Sequence, residues 1–591
     1  MSSSAAPRAT TTIPVGPLTL TLVGDPGTFA ARLAARGSAP GLWLVELTLE
    51  ASAAAVPSRL SLRWSLPCAD IQAGWRGDCN AYHGPFPPDW GGSGFTPRAA
   101  AQSPVSCLHS QSGKNRLTFA SDDAIHPTTL SAGLHEETGA FTCSVDAFVT
   151  PRAPSRSFTV RVRIDLRDVA MERALGEVSQ WWETLYPPCA VPEVGRLPMY
   201  STWYSFHQAV EPAAVEAECR RAKELGCEAV IVDDGWQTLD GSRGYAFCGD
   251  WESERIPDMA GHVRRVHALG MKFLLWYSVP FIGLRSKAYP RFAGRYLRED
   301  ALMNAAVLDP RFPEVREYLI GVYERHLREW DLDGFKLDFV DAFTRADADA
   351  SGGRDIADVD EAVVRLLSDV MARLRAIKPD ILVEFRQGYV GPIMRTYGNL
   401  FRAADCPADV IGNRVRTLDI RLTCGATACH SDMVMWHPTD PVESAALQLV
   451  NVLFSVPQVS VLIERLPADH RAMLAFWLAW WREHRATLLD GELSVAHPES
   501  SYTQASARSA HERITVAFGD LATVPDAPSR VQVVNATRSD RLIVELAAPL
   551  GRRRLVVRDC RGRTISDATV DLPAGIHRLA VPAAGVALLE A

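Results

Sequence analysis

The sequence predicts an α/β architecture: a (β/α)8 TIM barrel flanked by an N-terminal β-sandwich and a C-terminal β-sandwich. Three observations predict it. Residues 10–165 run in short alternating stretches such as LTLTLV, LWLVELTL and FTVRVRIDL, the period-two pattern of half-buried strands. From Leu197 the pattern changes to apolar runs alternating with helical periods, eight such units over about 290 residues, the length of a barrel domain. After Asp490 the short alternating runs return, as in ITVAFG, RVQVVNA, RLIVELA, RRLVVRD and GVALLE.

In chain order, residues 1–170 form the first sandwich, its strands separated by Gly, Pro and Ser. Residues 171–196 contain MERALGEVSQWWETLYPP, whose helical periodicity predicts a linker helix. The barrel spans 197–488. Its strands are MYSTWYS, EAVIVDD, MKFLLWYS, GFKLDF, ILVEFR, LFRAAD, the region LTCGATACHSD, and VSVLIE. The clearest helices between them are PAAVEAECRRAKELG, DMAGHVRRVHALG, PEVREYLIGVYERHLREW and the run from Asp355 to Lys378, several stopping at Gly. The segment after the fifth strand is a poor helix. FWLAWWREHR is broken by charge and reads as an amphipathic helix, and the second sandwich occupies 489–591.

Composition excludes several classes of function. The net charge of −8 and the lack of a long basic patch argue against nucleic acid. No run of 18 apolar residues exists, so no membrane span is expected. The first residues, MSSSAAPRATTTIP, lack the apolar core of a signal peptide, and the 12 Cys contain no CxxC pair. Both favour reduced thiols in the cytoplasm. No GxGxxG, GxxxxGKS or GxSxG motif occurs. Cys424, Cys429 and His430 lack a fourth ligand at metal spacing and read as barrel packing, so neither a metal nor a cofactor is expected.

The chemistry is read at the strand ends, where a barrel keeps its active site. VIVDDGWQ and GFKLDFV are apolar runs closing in acidic residues. Lys336 and Asp338 lie two apart on one strand and share a face, which suits an ionised carboxylate nucleophile steadied by an ammonium group. Asp405 ends the sixth strand, two strands round the same mouth. Two opposed carboxylates are what glycosidic cleavage requires, and their proton affinities must differ. Burial or negative neighbours are needed to keep Asp405 protonated. Asp233 and Asp234, as adjacent carboxylates, suit neighbouring sugar hydroxyls. Trp203 and Trp276 are placed to wall the pocket. Taken singly, each strand-end Asp reads more readily as a helix N-cap, and each Trp as core. The set outweighs these readings because four separate strands end in suitable groups.

VDDGWQ, GDW and HVRRVHALGMKFLLWYSVP in this order resemble the α-galactosidases of glycoside hydrolase family 36. GFKLDF resembles that family's nucleophile strand, and LFRAADCPAD resembles the RASDD strand end of the related raffinose synthases. The resemblance covers mainly residues 197–465. It implies Asp338 as nucleophile and Asp405 as acid/base. Three departures are visible. EFRQGYVGP stands where the family has ECSSGGGR, SVPFIG replaces EPEMV, and the SDxTD acid/base motif is absent, which makes Asp409 a second candidate acid. Arg386 and Arg402 join Lys336 as candidate substrate-binding residues.

The expected activity is that of a retaining α-glycosidase, α-galactosidase-like, acting on a small carbohydrate (an oligosaccharide or glycoside). Self-association into a homo-oligomer is compatible with this reading. Two other readings stay open. One is a raffinose-synthase-type transglycosylase, which would share every catalytic residue. The other is a non-catalytic sugar-binding protein.

Overall fold

The computed structural model describes residues 11–78, 83, 86–345, 347–526 and 528–591. The N-terminal sandwich is two six-stranded sheets packed face to face. Alternation decides which side chains lie between them. In Leu18–Val23, for instance, Leu18, Leu20 and Leu22 are buried and the Thr residues between them are more exposed. Trp64 meets Phe119 edge-on across the layer, at 5.1 Å between ring centroids. Helix α1 (Met171–Leu185) then leaves the sandwich with Met171, Leu175, Val178 and Trp182 buried. Its Trp182 indole donates to the Ser121 carbonyl at 2.9 Å, and its Ser179 hydroxyl donates to the Thr423 carbonyl at 2.9 Å. The helix therefore joins the first sandwich to the barrel.

The barrel strands are β1 (Met199–Ser201), β2 (Ala229–Val232), β3 (Lys272–Ser278), β4 (Gly334–Asp338), β5 (Leu382–Arg386), β6 (Leu400–Arg402), β7 (Ala428–His430) and β8 (Gln458–Val459). All are parallel, and β1 pairs with β8. The seam lies between β7 and β8, where among the described residues the backbone ladder is reduced to the isolated bridges His430–Val456 and Val434–Val459. The helices are α2 (Pro212–Glu224), α3 (Met259–Ala268), α4 (Pro313–Trp330), α5 (Val359–Ile377), α6 (Val410–Thr423), α7 (Val442–Val450) and α8 (Ala468–Asp490).

Three places in the barrel depart from the regular strand–helix pattern, the second of them where the sequence reads as a poor helix. The eighth strand, read as VSVLIE, begins at Gln458 and ends at Val459. The buried Glu218 carboxylate accepts the backbone N–H groups of Ile463 (2.6 Å) and Glu464 (3.2 Å), and Ile463–Arg465 forms a 3-10 turn. Those donors are thereby withdrawn from any strand ladder. Between β5 and β6 a 3-10 turn, Pro392–Thr396, stands where a helix would be. The first sandwich fills that space. The Gln102 N–H donates to the Gly388 carbonyl at 2.7 Å, and a Cβ on Gly391 would lie 2.6 Å from the Gln102 carbonyl oxygen. Third, a three-stranded antiparallel sheet (Phe281–Gly283, Tyr296–Asp300, Ala305–Leu308) is inserted after β3.

The C-terminal domain pairs a seven-stranded and a three-stranded sheet around Val531, Val533, Val544 and Leu589. The Trp480 indole of α8 reaches Gln532 at 3.0 Å and ties this domain to the barrel. All three domains also meet at one buried carboxylate. Asp419 of α6 accepts from Trp75 (2.8 Å), from His83 (3.0 Å), both in the first sandwich, and from the Tyr502 hydroxyl of the last domain (2.5 Å).

Candidate active site

The centre of the site is Asp338, at the carboxyl end of β4. Every residue of that strand is buried. The register of β3 against β4 sets Trp276 beside Lys336 and Ser278 beside Asp338. From there the Trp276 indole N–H donates to Asp338 Oδ2 at 3.1 Å. Phe339 takes a left-handed conformation, φ 62°, and its N–H folds back onto Asp338 Oδ1 at 2.8 Å. Oδ1 also accepts from Arg386 Nε at 3.0 Å and from the Tyr389 hydroxyl. One carboxylate oxygen thus has three donors. The other has Trp276, with Lys336 Nζ at 3.8 Å. Burial pushes this carboxyl up, but Arg386, Lys336 and the Tyr389 hydroxyl outweigh it and hold Asp338 well below the usual carboxylate range.

Lys336 serves two carboxylates. Its closer partner is Asp233 Oδ2, at 2.6 Å. Arg386 is the cation hydrogen-bonded to Asp338, and its side chain keeps 17% of its surface exposed at the mouth. Asp233 Oδ1 accepts the Asp234 N–H at 2.9 Å. Asp234 accepts from Gln208 at 2.8 Å and from Gln237 at 2.6 Å, and burial pushes its proton affinity up to about 6. Gly235 permits this cradle: its φ is +114°, and a Cβ there would lie 2.4 Å from the Gln208 carbonyl oxygen. Neither carboxylate caps a helix. The cap of α3 is Asp258, which accepts the Gly261 N–H at 3.0 Å.

Asp405 follows β6 and exposes 45% of its side chain at the rim. Arg402, fully buried, donates to its Oδ1 at 2.9 Å. The same guanidinium donates to Asp432 Oδ1 and to the Ala403 carbonyl (2.9 Å), and its Nε lies 3.3 Å from Glu384 Oε1. Asp432, which follows β7, is fully buried. Its Oδ2 accepts from the Tyr204 hydroxyl at 2.9 Å and the Cys406 N–H at 2.7 Å. Burial raises Asp405, but Arg402, Arg386 and Lys336 bring it below its ordinary value. At Asp432 burial wins over Arg402 and the group is raised. The sequence reading requires burial or negative neighbours to keep Asp405 protonated; burial and Asp338 do raise the group, and Arg402, Arg386 and Lys336 act against them.

Other expected residues take different places. Asp409 is the N-cap of α6, accepting the Gly412 N–H at 2.8 Å. Trp276 is 1% exposed and supports Asp338 from beneath, so it is no wall of the pocket. The part-exposed rings nearer the mouth are Tyr245, stacked on Trp276 at 6.0 Å, and Phe339, edge-on to Tyr245 at 5.0 Å. Trp203, half-buried in the single turn after β1, stacks on His207 at 3.9 Å. Arg402 is enclosed by carboxylates, which leaves Arg386 as the cation facing the mouth. His430 donates to the Gly195 carbonyl at 2.8 Å, and Cys429 to the Thr417 carbonyl. Among the described residues no group of three or more His, Cys, Asp or Glu is arranged to hold a metal. Sequence reasoning missed Tyr204, Tyr389 and Asp432. Asp432 had a usable signal, since HSD closes the seventh strand region with an acid, as VIVDD closes the second.

Residues 198–397 match the Melibiase family model. The fold is shared, over 97% of this chain and 83% of the other, with the glycoside hydrolase family 36 α-galactosidase AgaA of Geobacillus stearothermophilus, at TM-score 0.65 and 17% identity. Over residues 198–397 the chain is similar to the Melibiase family. The chain is also similar in fold to the galactosidase domain of the α-galactosidase–sucrose kinase AgaSK, at TM-score 0.65 and 15% identity, covering 97% of this chain and 82% of that one. In sequence it is 25% identical over 193 residues to α-galactosidase 2 of Pediococcus pentosaceus, covering 31% of this chain. It is 30% identical over 176 residues to the bifunctional α-galactosidase/sucrose kinase AgaSK of Mediterraneibacter gnavus, covering 28% of this chain and 18% of that protein. The match to the Pediococcus protein spans only 27% of that protein's length.

Proposed function

We propose that the protein is a retaining α-glycoside hydrolase, α-galactosidase-like, working through a glycosyl-enzyme. The observation that carries the reading is the Asp338 cradle, in which a buried strand-end carboxylate is kept ionised with Oδ1 held by three donors. Oδ2, with fewer partners, is the attacking oxygen. It bonds to the anomeric carbon as the bond to the leaving oxygen breaks, and Asp405, which takes up a proton from solvent before this step, gives it to that oxygen. Asp405, now a carboxylate, takes a proton from water. The water oxygen then bonds to the anomeric carbon and Asp338 is released. Asp233, Asp234, Arg386 and the rings of Trp203 and Tyr245 bind the sugar, while Lys336 links the Asp233 pair to the nucleophile.

Small oligosaccharides are the proposed substrates. AgaA of Geobacillus stearothermophilus has been solved in complex with raffinose and with stachyose. The cytoplasm is the proposed location, supported by the free thiols: among the described residues every cysteine is unpaired and most are buried. Among the described residues no helix is long and apolar enough to cross a membrane.

A panel of aryl α-glycosides tests the reading, with turnover expected on the galactoside. Asp338→Ala should lower kcat by several orders of magnitude, and azide should restore some turnover with inverted configuration at the product. Near-normal turnover in that variant would refute the assignment. Product analysis with an added acceptor sugar separates hydrolysis from transglycosylation.

A further inference from the structure

Arg402 is shared, and the sharing is unequal. Its NH1 donates to Asp432 and the Ala403 carbonyl, its NH2 to Asp405, and its Nε faces Glu384. Asp432 is the fixed partner. Both its oxygens are bonded, Oδ1 by Arg402 and Oδ2 by Tyr204 and the Cys406 N–H, and it is fully buried. Asp405 is the free partner. Only its Oδ1 is bonded to Arg402, and 45% of its side chain is exposed. A lone Arg beside a carboxylate stabilises the anion strongly, which is the wrong state for a group that must donate a proton. A second carboxylate on the same guanidinium draws off part of that charge.

We propose that Asp432 is a positioning residue for the acid/base step: by holding one side of Arg402 it limits how strongly that cation favours the Asp405 carboxylate. The inference rests on the assignment of Asp405 under the proposed function. The charged and titratable groups around Asp405 are Arg402 on its own strand, Lys336 and Asp338 of β4, Arg386 of β5, Tyr204 after β1, and Asp432 after β7. The Arg416 guanidinium of α6 meets only the Asp405 carbonyl, at 3.4 Å. Asp432 is faced by Arg402, Asp405, Tyr204 and Cys406. Two carboxylates share the Arg402 guanidinium with Asp405: Glu384, which faces Nε at 3.3 Å, and Asp432, which is hydrogen-bonded to NH1.

The sign follows. Asp405 must be protonated to act as the acid, so its proton affinity sets the alkaline limb of kcat/KM. Asp432→Asn keeps the shape and an acceptor for Tyr204 and Cys406 but removes the charge. Arg402 then serves Asp405 more fully, and the alkaline limb should move to lower pH by about one unit, the effect of one close charge across a partly exposed site. On that limb a glycoside with a poor leaving group should lose about tenfold in kcat/KM, while glycosylation by an activated aryl glycoside, which needs no proton, stays near wild type. Tyr204→Phe should shift the limb in the same direction by less, because Asp432 loses a donor and holds its own proton more readily. That variant serves if Asp432→Asn does not fold. Asp405→Ala is run alongside and should cripple poor leaving groups while sparing activated ones. If Asp405→Ala behaves so and neither Asp432→Asn nor Tyr204→Phe moves the limb, Asp432 is structural and the inference is wrong. If Asp405→Ala lacks that signature, the assignment of Asp405 falls and the inference falls with it.

Discussion

Arg386→Gln is the most informative substitution at the proposed nucleophile, Asp338. Arg386 Nε donates to Asp338 Oδ1 at 3.0 Å, from a side chain only 17% exposed. Unit charges about 4 Å apart at an effective dielectric of about 20 interact by about 4 kcal/mol, which sets a ceiling. Lys336 stays at 3.8 Å, and Tyr389, Trp276 and the Phe339 N–H still donate. The expected loss is therefore that of one charged hydrogen bond, about 1.5–3 kcal/mol, or about one to two pKa units. The direction is fixed. Asp338 is held low in the native protein and must be ionised to attack, so weakening its donors raises the acid limb of kcat/KM by that amount. An activated aryl α-galactoside isolates this limb, because its leaving group needs no protonation. A second consequence concerns the next step. A more basic carboxylate is a poorer leaving group, so breakdown of the glycosyl-enzyme slows. Stopped-flow release of the aryl alcohol should show a burst, and mass spectrometry of the quenched enzyme should show the added hexose. A folded Arg386→Gln with an unmoved acid limb and no burst would refute the view that this guanidinium tunes the nucleophile.

Two further predictions address other parts of the molecule. Asp409→Ala removes a helix cap and should cost about 1 kcal/mol in urea unfolding, with kcat/KM unchanged on every leaving group; a loss confined to poor leaving groups would instead make Asp409 the acid. His126 should make the sandwich–barrel contact sensitive to alkali. It lies 3.1 Å from both Asp123 and Glu361 of α5, and although burial opposes its charge, Asp123 and Glu361 raise it to about 9. A raised value stabilises fully below the unfolded value of about 6.5, and that stability is lost as pH climbs to about 9, up to about 3 kcal/mol in all. Melting at pH 6.5 and pH 9 should show the loss in the wild type and not in His126→Gln; equal losses in both would remove His126 as the cause.

Much of this architecture was legible because its signals are local. EAVIVDD and GFKLDF carry strand, end and acid within seven residues or fewer, and the structure ends β2 and β4 next to or at those acids. The poor helix after the fifth strand was equally visible, and the Pro392–Thr396 turn occupies that place. What could not be read depends on distant partners. The eighth strand is cut short by Glu218, 245 residues away from the Ile463 N–H it accepts. Tyr204 and Asp432 are 228 residues apart, and Tyr389 and Asp338 are 51 apart. The surroundings of Asp405 were hidden for the same reason. Its sequence neighbourhood shows Arg402, but not that the barrel also turns Arg386 and Lys336 toward it.

The carboxylate of Asp419 has a bearing on how freely this chain can be rearranged. It takes its donors from Trp75, His83 and Tyr502, so each flanking domain holds part of one charge that belongs to the barrel. A barrel excised from its neighbours, or spliced into a chimera with another sandwich, carries an anion stripped of those partners, and an ion of that kind is costly to keep away from water. The three domains are separate in topology yet not interchangeable parts. Any exchange of one must bring its share of the cage or neutralise the residue inside it.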